Sequence, residues 1–284
     1  MNNEKNKVED GVLYLVATPI GNLADISERA IKVLSEVHFI AAEDTRNSVK
    51  LLTALGIRKE LVSYHEHNKK ASGIRLVERL LSGESCALIT DAGMPAISDP
   101  GEDIVKECHD AGIKVSIVPG ACAAVSALSM SGLPTGRFAF EGFLPAKAQD
   151  RRKRLDAVKR EERTMIFYEA PHKLKATLDD MAEAFGEDRK ISLCRELTKI
   201  NEEIYRTTLG QAVKLYEEKE PRGEYVLIIE GCTEKEESEL LTLSPEEHVK
   251  HYESEGLSRM DAIKRAARDR GISKSELYKL VLKD

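Results

Sequence analysis

The residues with chemistry to offer sit where apolar runs end. AAEDTR (41–46) groups Glu43, Asp44 and Arg46; YHEHN (64–68) groups His65, Glu66 and Asn68; IFYEAPHK (166–173) carries Glu169 and His172. Carboxylates and imidazoles can take a proton from a hydroxyl when their surroundings bring the pKa near the working pH. Glu43, Asp44, Arg46, His65 and Glu169 are therefore the candidate catalytic residues. The same acids also suit helix N-caps and Arg46 suits a phosphate, so sequence alone leaves their roles open.

A second stretch, LITDAGMPAISDPG (88–101), follows an apolar run with glycines, prolines and two aspartates. A phosphate loop would carry Gly-Lys-Ser/Thr here, yet Asp91 and Asp99 stand in a loop without Lys or Arg. Two carboxylates repel a phosphate and favour a cation, and the small residues Ala92, Gly93 and Ala96 leave the backbone open to a ligand. S-adenosylmethionine, with a sulfonium, an ammonium and an adenosine but no phosphate, fits this description. Asp99 before Pro100 also reads as the N-cap of the next helix. Upstream, Glu43 follows Gly21 at the offset of a dinucleotide-binding acid, but GxGxxG is absent and Pro19 removes an N–H that a phosphate cradle would use. A third loop, IVPGACAAVSAL (117–128), enters a helix through small residues that let a flat group such as adenine approach.

These loops need parallel strands to present them. VLYLVA (12–17), HFIAA (38–42), ALIT (87–90) and KVSIV (114–118) read as strands, the last two apolar enough for burial on both faces, with helices starting near Ser27, Thr45, Ala71 and Pro100. After the breakers between Gly132 and Gly136 the rhythm restarts as RFAFEGF, a basic helix, TMIFYEA, a helix from Pro171, KISLCREL with a possible hairpin over 191–208, a helix near Gly210, and EYVLIIEG. The expected fold class is two consecutive α/β domains, 11–134 and 135–232, the second with a mixed sheet, after a disordered tail of residues 1–10. Residues 233–284 form an acidic linker and a helical segment. Ser244-Pro245-x-Glu247, Ser258-x-x-Asp261 and Ser273-x-x-Glu276 each open a helix. Apolar stripes at Ile263, Ala266 and Ala267 and at Leu277, Leu280 and Val281 suit a helix-turn-helix.

The net charge of -6 is unevenly spread: residues 145–163 and 257–284 each hold eight Lys or Arg against four acids. Polyanion binding depends on the local field, so nucleic acid stays compatible with an acidic chain. Five scattered cysteines give neither a disulfide framework nor a zinc spacing, and no metal ligand set is assigned. Without a signal-like start or an apolar run near the ~18 residues of a membrane span, the reading is a cytoplasmic protein that needs no membrane.

TPIGNLADIS, AAEDTR, YHEHN, TDAGMPAISDPG, VPGACAAVSAL, FEGFLP and FYEAPHKL, in this order, closely resemble the bacterial 16S ribosomal RNA (cytidine-2'-O)-methyltransferases of the tetrapyrrole-methylase-like class. The resemblance runs from about residue 11 into the helical tail. One departure is Cys122, where related loops often carry Ser. The resemblance implies S-adenosylmethionine in a cleft between the two α/β domains, a homodimer, and 2'-O-methylation of a cytidine in the decoding region of 16S rRNA within the small ribosomal subunit. It implies that Asp91, Ala92, Gly93, Met94 and Pro95 line the cofactor with Thr18 and Pro19 beneath. Ala121, Cys122 and Ala123 would sit near it, with Phe167 and Tyr168 on the opposite wall. An RNA substrate calls for phosphate contacts, for which Lys147, Arg151, Arg152, Lys153, Arg154, His172, Lys173, Arg259, Arg265, Arg268 and Lys274 are the candidates. Two alternatives remain at this stage: a tetrapyrrole C-methyltransferase of the same fold, and a non-catalytic RNA-binding assembly factor.

Overall fold

A computed structural model of the chain describes residues 7–99, 101–233, 240 and 243–281. Its first sheet joins β1 (Val12–Val16), β2 (Phe39–Ala42), β3 (Glu60–Ser63), β4 (Cys86–Ile89) and β5 (Lys114–Val118) in the order β3-β2-β4-β1-β5, all pairs parallel. Helices α1 (Glu28–Glu36), α2 (Thr45–Ala54), α3 (Lys69–Leu81) and α4 (Glu102–Asp110) connect the strands. The period-two alternation of strand side chains builds two cores. Val12, Tyr14 and Val16 join Ile40, Ala87 and Ile89 on one face, while Leu13 joins Phe39, Cys86 and Leu88 on the other.

Several expectations change here. The four-residue β3 was not anticipated, because ELVS is short, half-exposed and flanked by charge. Strand β5 is an edge strand in which only Val118 is buried, so its apolar sequence does not mean burial on both faces. Gly101, not Asp99, is the N-cap of α4, and Pro100 lies outside the described residues. Residues 1–6 of the N-terminal tail also lie outside them, whereas Val8 packs on the first core and Glu9 pairs with Lys114 at 2.7 Å.

The second sheet holds β6 (Phe138–Phe143), β7 (Thr164–Glu169), β8 (Lys190–Arg195), β9 (Glu203–Thr208) and β10 (Tyr225–Ile229) in the order β6-β7-β10-β8-β9. It is mixed: β6 and β7 are parallel and the other pairs antiparallel, including the β8–β9 hairpin. Helix α5 (Ala123–Ser131) leaves β5 and packs on this second sheet, where Ala124, Ala127 and Leu128 meet Ile166, Cys194, Val226 and Ile228. Their i, i+3, i+4 spacing gives one apolar stripe, and its small side chains let the helix lie close. Both sheets therefore belong to one compact unit ending at Gly231.

The opposite face of the second sheet is covered by α6 (Ala148–Val158), α7 (Pro171–Phe185) and α8 (Leu209–Glu218). The basic helix α6 does not offer all of its charge to solvent. Arg151 is buried and its Nε donates to Asp180 at 2.6 Å, with the two side chains 8% and 4% exposed. The structure thus removes Arg151 from the RNA candidates, since its guanidinium is committed to an interior ion pair. Arg152 shares Asp180 from outside at 2.8 Å and Arg154 pairs with Glu141, both retaining exposed surface, while Lys147 is exposed.

Cys232–Asp284 form the second compact unit. Most of the acidic linker, residues 234–239, 241 and 242, lies outside the described residues. Helices α9 (Pro245–Ser254), α10 (Arg259–Asp269) and α11 (Lys274–Val281) enclose Val249, Tyr252, Ile263, Ala266, Leu277 and Val281. The Ser244–Glu247 capping box is formed in both directions. Leu280, expected in the apolar stripe, is 51% exposed because Leu277 and Val281 already fill the i, i+4 face of α11. Arg259, Arg265, Arg268 and Lys274 are exposed; Arg265 lies over the Tyr252 ring at 5.0 Å and Arg259 stands 3.8 Å from Glu253. Among the described residues no disulfide joins the cysteines, and Cys86, Cys108 and Cys194 are buried. Among the described residues no helix is long and apolar enough to cross a membrane.

Asp180→Ala would leave the Arg151 guanidinium buried without a counter-charge, a change expected to cost about 3–5 kcal/mol of stability in urea unfolding. Arg152→Ala, which removes an exposed partner of the same carboxylate, is expected to cost under about 1 kcal/mol.

Candidate active site

Parallel α/β sheets present ligands at the carboxyl ends of their strands, near the point where strand order reverses. A cavity of about 470 Å³ opens there. Ile20 reaches it from the loop after β1, Glu43 from the end of β2, Asp91 and Asp99 from the loop after β4, and Cys122 and Ala123 from the start of α5. The second sheet supplies the facing wall through Phe143, Tyr168 and Val226.

The loop after β4 is fixed from several sides. Thr18 and Gly93 form an antiparallel bridge, Thr18 N–H donating to Gly93 O at 2.9 Å and Gly93 N–H to Thr18 O at 3.1 Å. Gly93 adopts φ +86°, and a Cβ there would stand 3.2 Å from the Ile20 methyl, so glycine keeps both the turn and the space. Ala96 at φ 66° and Ser98 at φ 62° occupy the left-handed region, at roughly 1–3 kcal/mol each, in the run that turns Asp99 toward the cavity. Asn47 Nδ2 donates to Asp91 Oδ2 at 2.9 Å.

Three carboxylates, Glu43, Asp91 and Asp99, thus share one end of the cavity. Burial raises Glu43 above the ordinary carboxylate range, and the charge of Asp91 raises it further. Burial, followed by the charges of Glu43 and Asp91, pushes Asp99 up to about 6. Across the cavity Tyr168 is pushed up to about 12, mainly by burial; its hydroxyl accepts a hydrogen bond from Ala124 N–H at 3.1 Å, and Phe140 and Phe143 pack edge-on to its ring.

Of the cofactor candidates, the structure brings Asp91, Ala92, Gly93, Met94, Cys122, Ala123 and Tyr168 to the cavity. Thr18, Pro19, Pro95 and Ala121 are not among the lining residues; Thr18 is buried behind the loop and its hydroxyl donates to Thr90 O at 3.1 Å. Phe167 is corrected: strand alternation turns it to the other face of β7, where it is fully buried in the core under α7. Among the catalytic candidates only Glu43 and Glu169 line the cavity. Glu169 is nevertheless tied into the start of α7, accepting from Ala170 N–H at 2.8 Å and the Thr177 hydroxyl at 2.6 Å. Asp44 caps α2 and is held by Arg46 through two side-chain hydrogen bonds, which take Asp44 down to about 2. His65 stands behind Glu43 outside the lining, its backbone N–H donating to Asn68 Oδ1 at 2.8 Å. His172 is exposed and Lys173 half-buried.

Sequence reasoning missed the cavity-facing side of Asp99, because Asp-Pro-Gly imitates a helix start. It also missed Lys199 and Glu224, which line the rim as a pair 2.9 Å apart and come from the loops after β8 and before β10, where no motif marks them.

The tetrapyrrole (corrin/porphyrin) methylase family matches residues 12–213. The chain is 51% identical over 275 residues to "Ribosomal RNA small subunit methyltransferase I" of Halalkalibacterium halodurans strain C-125, covering 96% of this chain and 95% of the relative. To the protein of the same name in Bacillus subtilis strain 168 it is 49% identical over 276 residues, covering 96% and 94%. Among solved structures, uroporphyrin-III-C-methyltransferase from Thermus thermophilus superposes with a TM-score of 0.56 at 22% identity, covering 78% of this chain and 94% of that one, a likeness of fold alone. The chain belongs to the tetrapyrrole (corrin/porphyrin) methylases and, within them, to the ribosomal RNA small subunit methyltransferase I family.

Proposed function

We infer that the protein uses S-adenosylmethionine to methylate RNA of the small ribosomal subunit, at the 2'-oxygen of a cytidine in 16S rRNA. The cavity carries this reading: it combines clustered carboxylates, small-residue backbone and an aromatic wall within about 470 Å³, inside the range of small-molecule sites, ~300–1,000 Å³. A cationic, phosphate-free cofactor suits that donor set. Asp91, Gly93 and Met94 would hold its amino-acid and ribose side, Cys122 and Ala123 its flat face, with Tyr168 closing from the second sheet. When bound, the cofactor supplies an electrophilic methyl activated by its own positive charge. The chain's part is then to position the acceptor, exclude water and accept the hydroxyl proton; alignment alone can supply on the order of 10⁵ in effective molarity.

The family the chain belongs to supports ribosomal RNA as the acceptor. Exposed cations on α6 and on the helical tail are suited to its phosphates. The resemblance further implies a homodimer, for which Phe138 and Phe140, exposed on edge strand β6, offer apolar surface.

Calorimetry is expected to show stoichiometric binding of S-adenosylmethionine, and small subunits from cells lacking the gene should gain 2'-O-methylcytidine on incubation with the protein, read by mass spectrometry of digested RNA. Absence of cofactor binding, or methyl transfer to a tetrapyrrole in place of RNA, overturns the reading. Arg268→Glu combined with Lys274→Glu is expected to weaken RNA binding and flatten its salt dependence by roughly one to two units of log–log slope, leaving cofactor affinity unchanged.

A further inference from the structure

Proton removal from a ribose hydroxyl needs a group with an uncommitted lone pair at the cavity. Most of the acids around the cavity are already engaged. Glu169 is held by Ala170 N–H and the Thr177 hydroxyl, Asp91 by Asn47, Glu224 by Lys199 and Asp44 by Arg46. Glu43 also lines the cavity, with the backbone N–H of Asp91 facing it. His65 lies outside the lining. Asp99 and Glu43 both line the cavity with no ion pair to a cation among the described residues, and Asp99 stands apart from Glu43 in facing the buried Thr90 hydroxyl.

A second feature points to the same spot. The Thr90 hydroxyl is 3% exposed and faces the Asp99 carboxyl, with no other hydrogen-bond partner among the described residues. A buried hydroxyl of this kind awaits a polar group entering the cavity. The loop leaves Asp99 little freedom to turn away. Gly101 lies so close under Ala96 that a Cβ on it would stand 2.9 Å from the Ala96 Cβ, and Ala96 and Ser98 are both locked in left-handed conformations.

We propose that Asp99 is the general base of the methyl transfer, taking the proton of the acceptor ribose 2'-hydroxyl while the Thr90 hydroxyl steadies the same carboxyl or the incoming oxygen. This rests on the reading given under Proposed function. The 2'-oxygen lone pair forms the O–C bond to the methyl carbon, and the S–C pair stays on sulfur as a neutral thioether. The O–H proton passes to a carboxylate oxygen of Asp99 and then to solvent. The groups facing Asp99 are Glu43 from the end of β2, Asp91 from its own loop and Tyr168 from β7; His65 in turn faces Glu43, and Arg46 faces Asp91. Their balance is negative, so Asp99 is basic enough to accept a proton and still ionised at neutral pH, the condition a general base must meet.

Asp99→Asn is expected to slow single-turnover methyl transfer to small-subunit RNA by roughly 10²–10⁴-fold, while S-adenosylmethionine still binds with nearly wild-type affinity in calorimetry. In the wild type, single-turnover rate should rise with pH through about 6. Glu43→Gln, which removes a neighbouring charge that raises Asp99, should move that limb to lower pH. An activity-independent readout follows from linkage. The folded-state pKa of Asp99 lies above its ordinary 3.8, so its contribution to stability is complete below 3.8 and lost as pH rises through about 6. Asp99→Asn should therefore melt higher than wild type above pH 6, with the gap closing toward pH 4. Wild-type rates in Asp99→Asn, an acid limb unmoved by Glu43→Gln, or loss of cofactor affinity in step with rate would each overturn the assignment to Asp99. A wild-type chain that binds no S-adenosylmethionine would instead overturn the reading of the cavity itself.

Discussion

The packing of α5 on the second sheet is the contact on which the cavity depends. Helix α5 starts at the end of β5 in the first sheet, yet it buries Ala124, Ala127 and Leu128 against Ile166, Cys194, Val226 and Ile228 of the second. Small side chains set the separation, because a longer residue at Ala127, which has no exposed surface, would push helix and sheet apart in an interior packed at crystal-like density. The hydrogen bond from Ala124 N–H to Tyr168 fixes the same distance with a polar contact at the cavity wall. Cys122 and Ala123 precede this contact in the chain, so the joint between the sheets is also a wall of the site.

Once the walls are fixed, the carboxylates cannot relax away from each other. Glu43, Asp91 and Asp99 sit on the ends of β2 and β4, neighbours in the first sheet, and the loop after β4 is pinned by Thr18 and strained at Ala96 and Ser98. Raised pKa values at Glu43 and Asp99 are the electrostatic counterpart of that backbone strain. Both destabilise the fold, and both would be relieved or used by the cationic cofactor and hydroxyl acceptor proposed above.

How much of this was legible in sequence depends on whether the deciding partner is near in the chain. The Ser244–Glu247 capping box, the apolar runs of every first-sheet strand but β3, and the hairpin of the second sheet were readable because each is signalled by residues a few positions apart. The burial of β5 was not, because KVSIV is as apolar as a central strand and only the strand order makes it an edge. Alternation says that Phe167 and Tyr168 face opposite sides; which one meets the cavity depends on how β7 pairs with β10 and on where α5 lies. Arg151 looked like one cation in a basic helix until Asp180, 29 residues on, claimed it. Asp99 looked like a cap because its local sequence satisfies every requirement of one, and Gly101 takes that place instead.

The acids that define the cavity also constrain how a polyanion can approach it. A phosphodiester brought to the mouth meets Glu43, Asp91 and Asp99 at one end and, on the rim, Glu224 already matched by Lys199. Unfavourable charge at that spot disfavours backbone phosphates more than it would the neutral sugar hydroxyl of the proposed acceptor. Phosphate contacts must then come from cations set away from the cavity. Exposed Lys147 at the N-cap of α6 and Lys153 on it, and Arg152 and Arg154 with half or more of their side chains in solvent, would suit that role on the proposed reading. On the proposed reading, affinity for an anionic chain and acceptance of a hydroxyl proton would fall to different surfaces, so that a basic carboxylate could stand beside a substrate negative everywhere except at the reacting group.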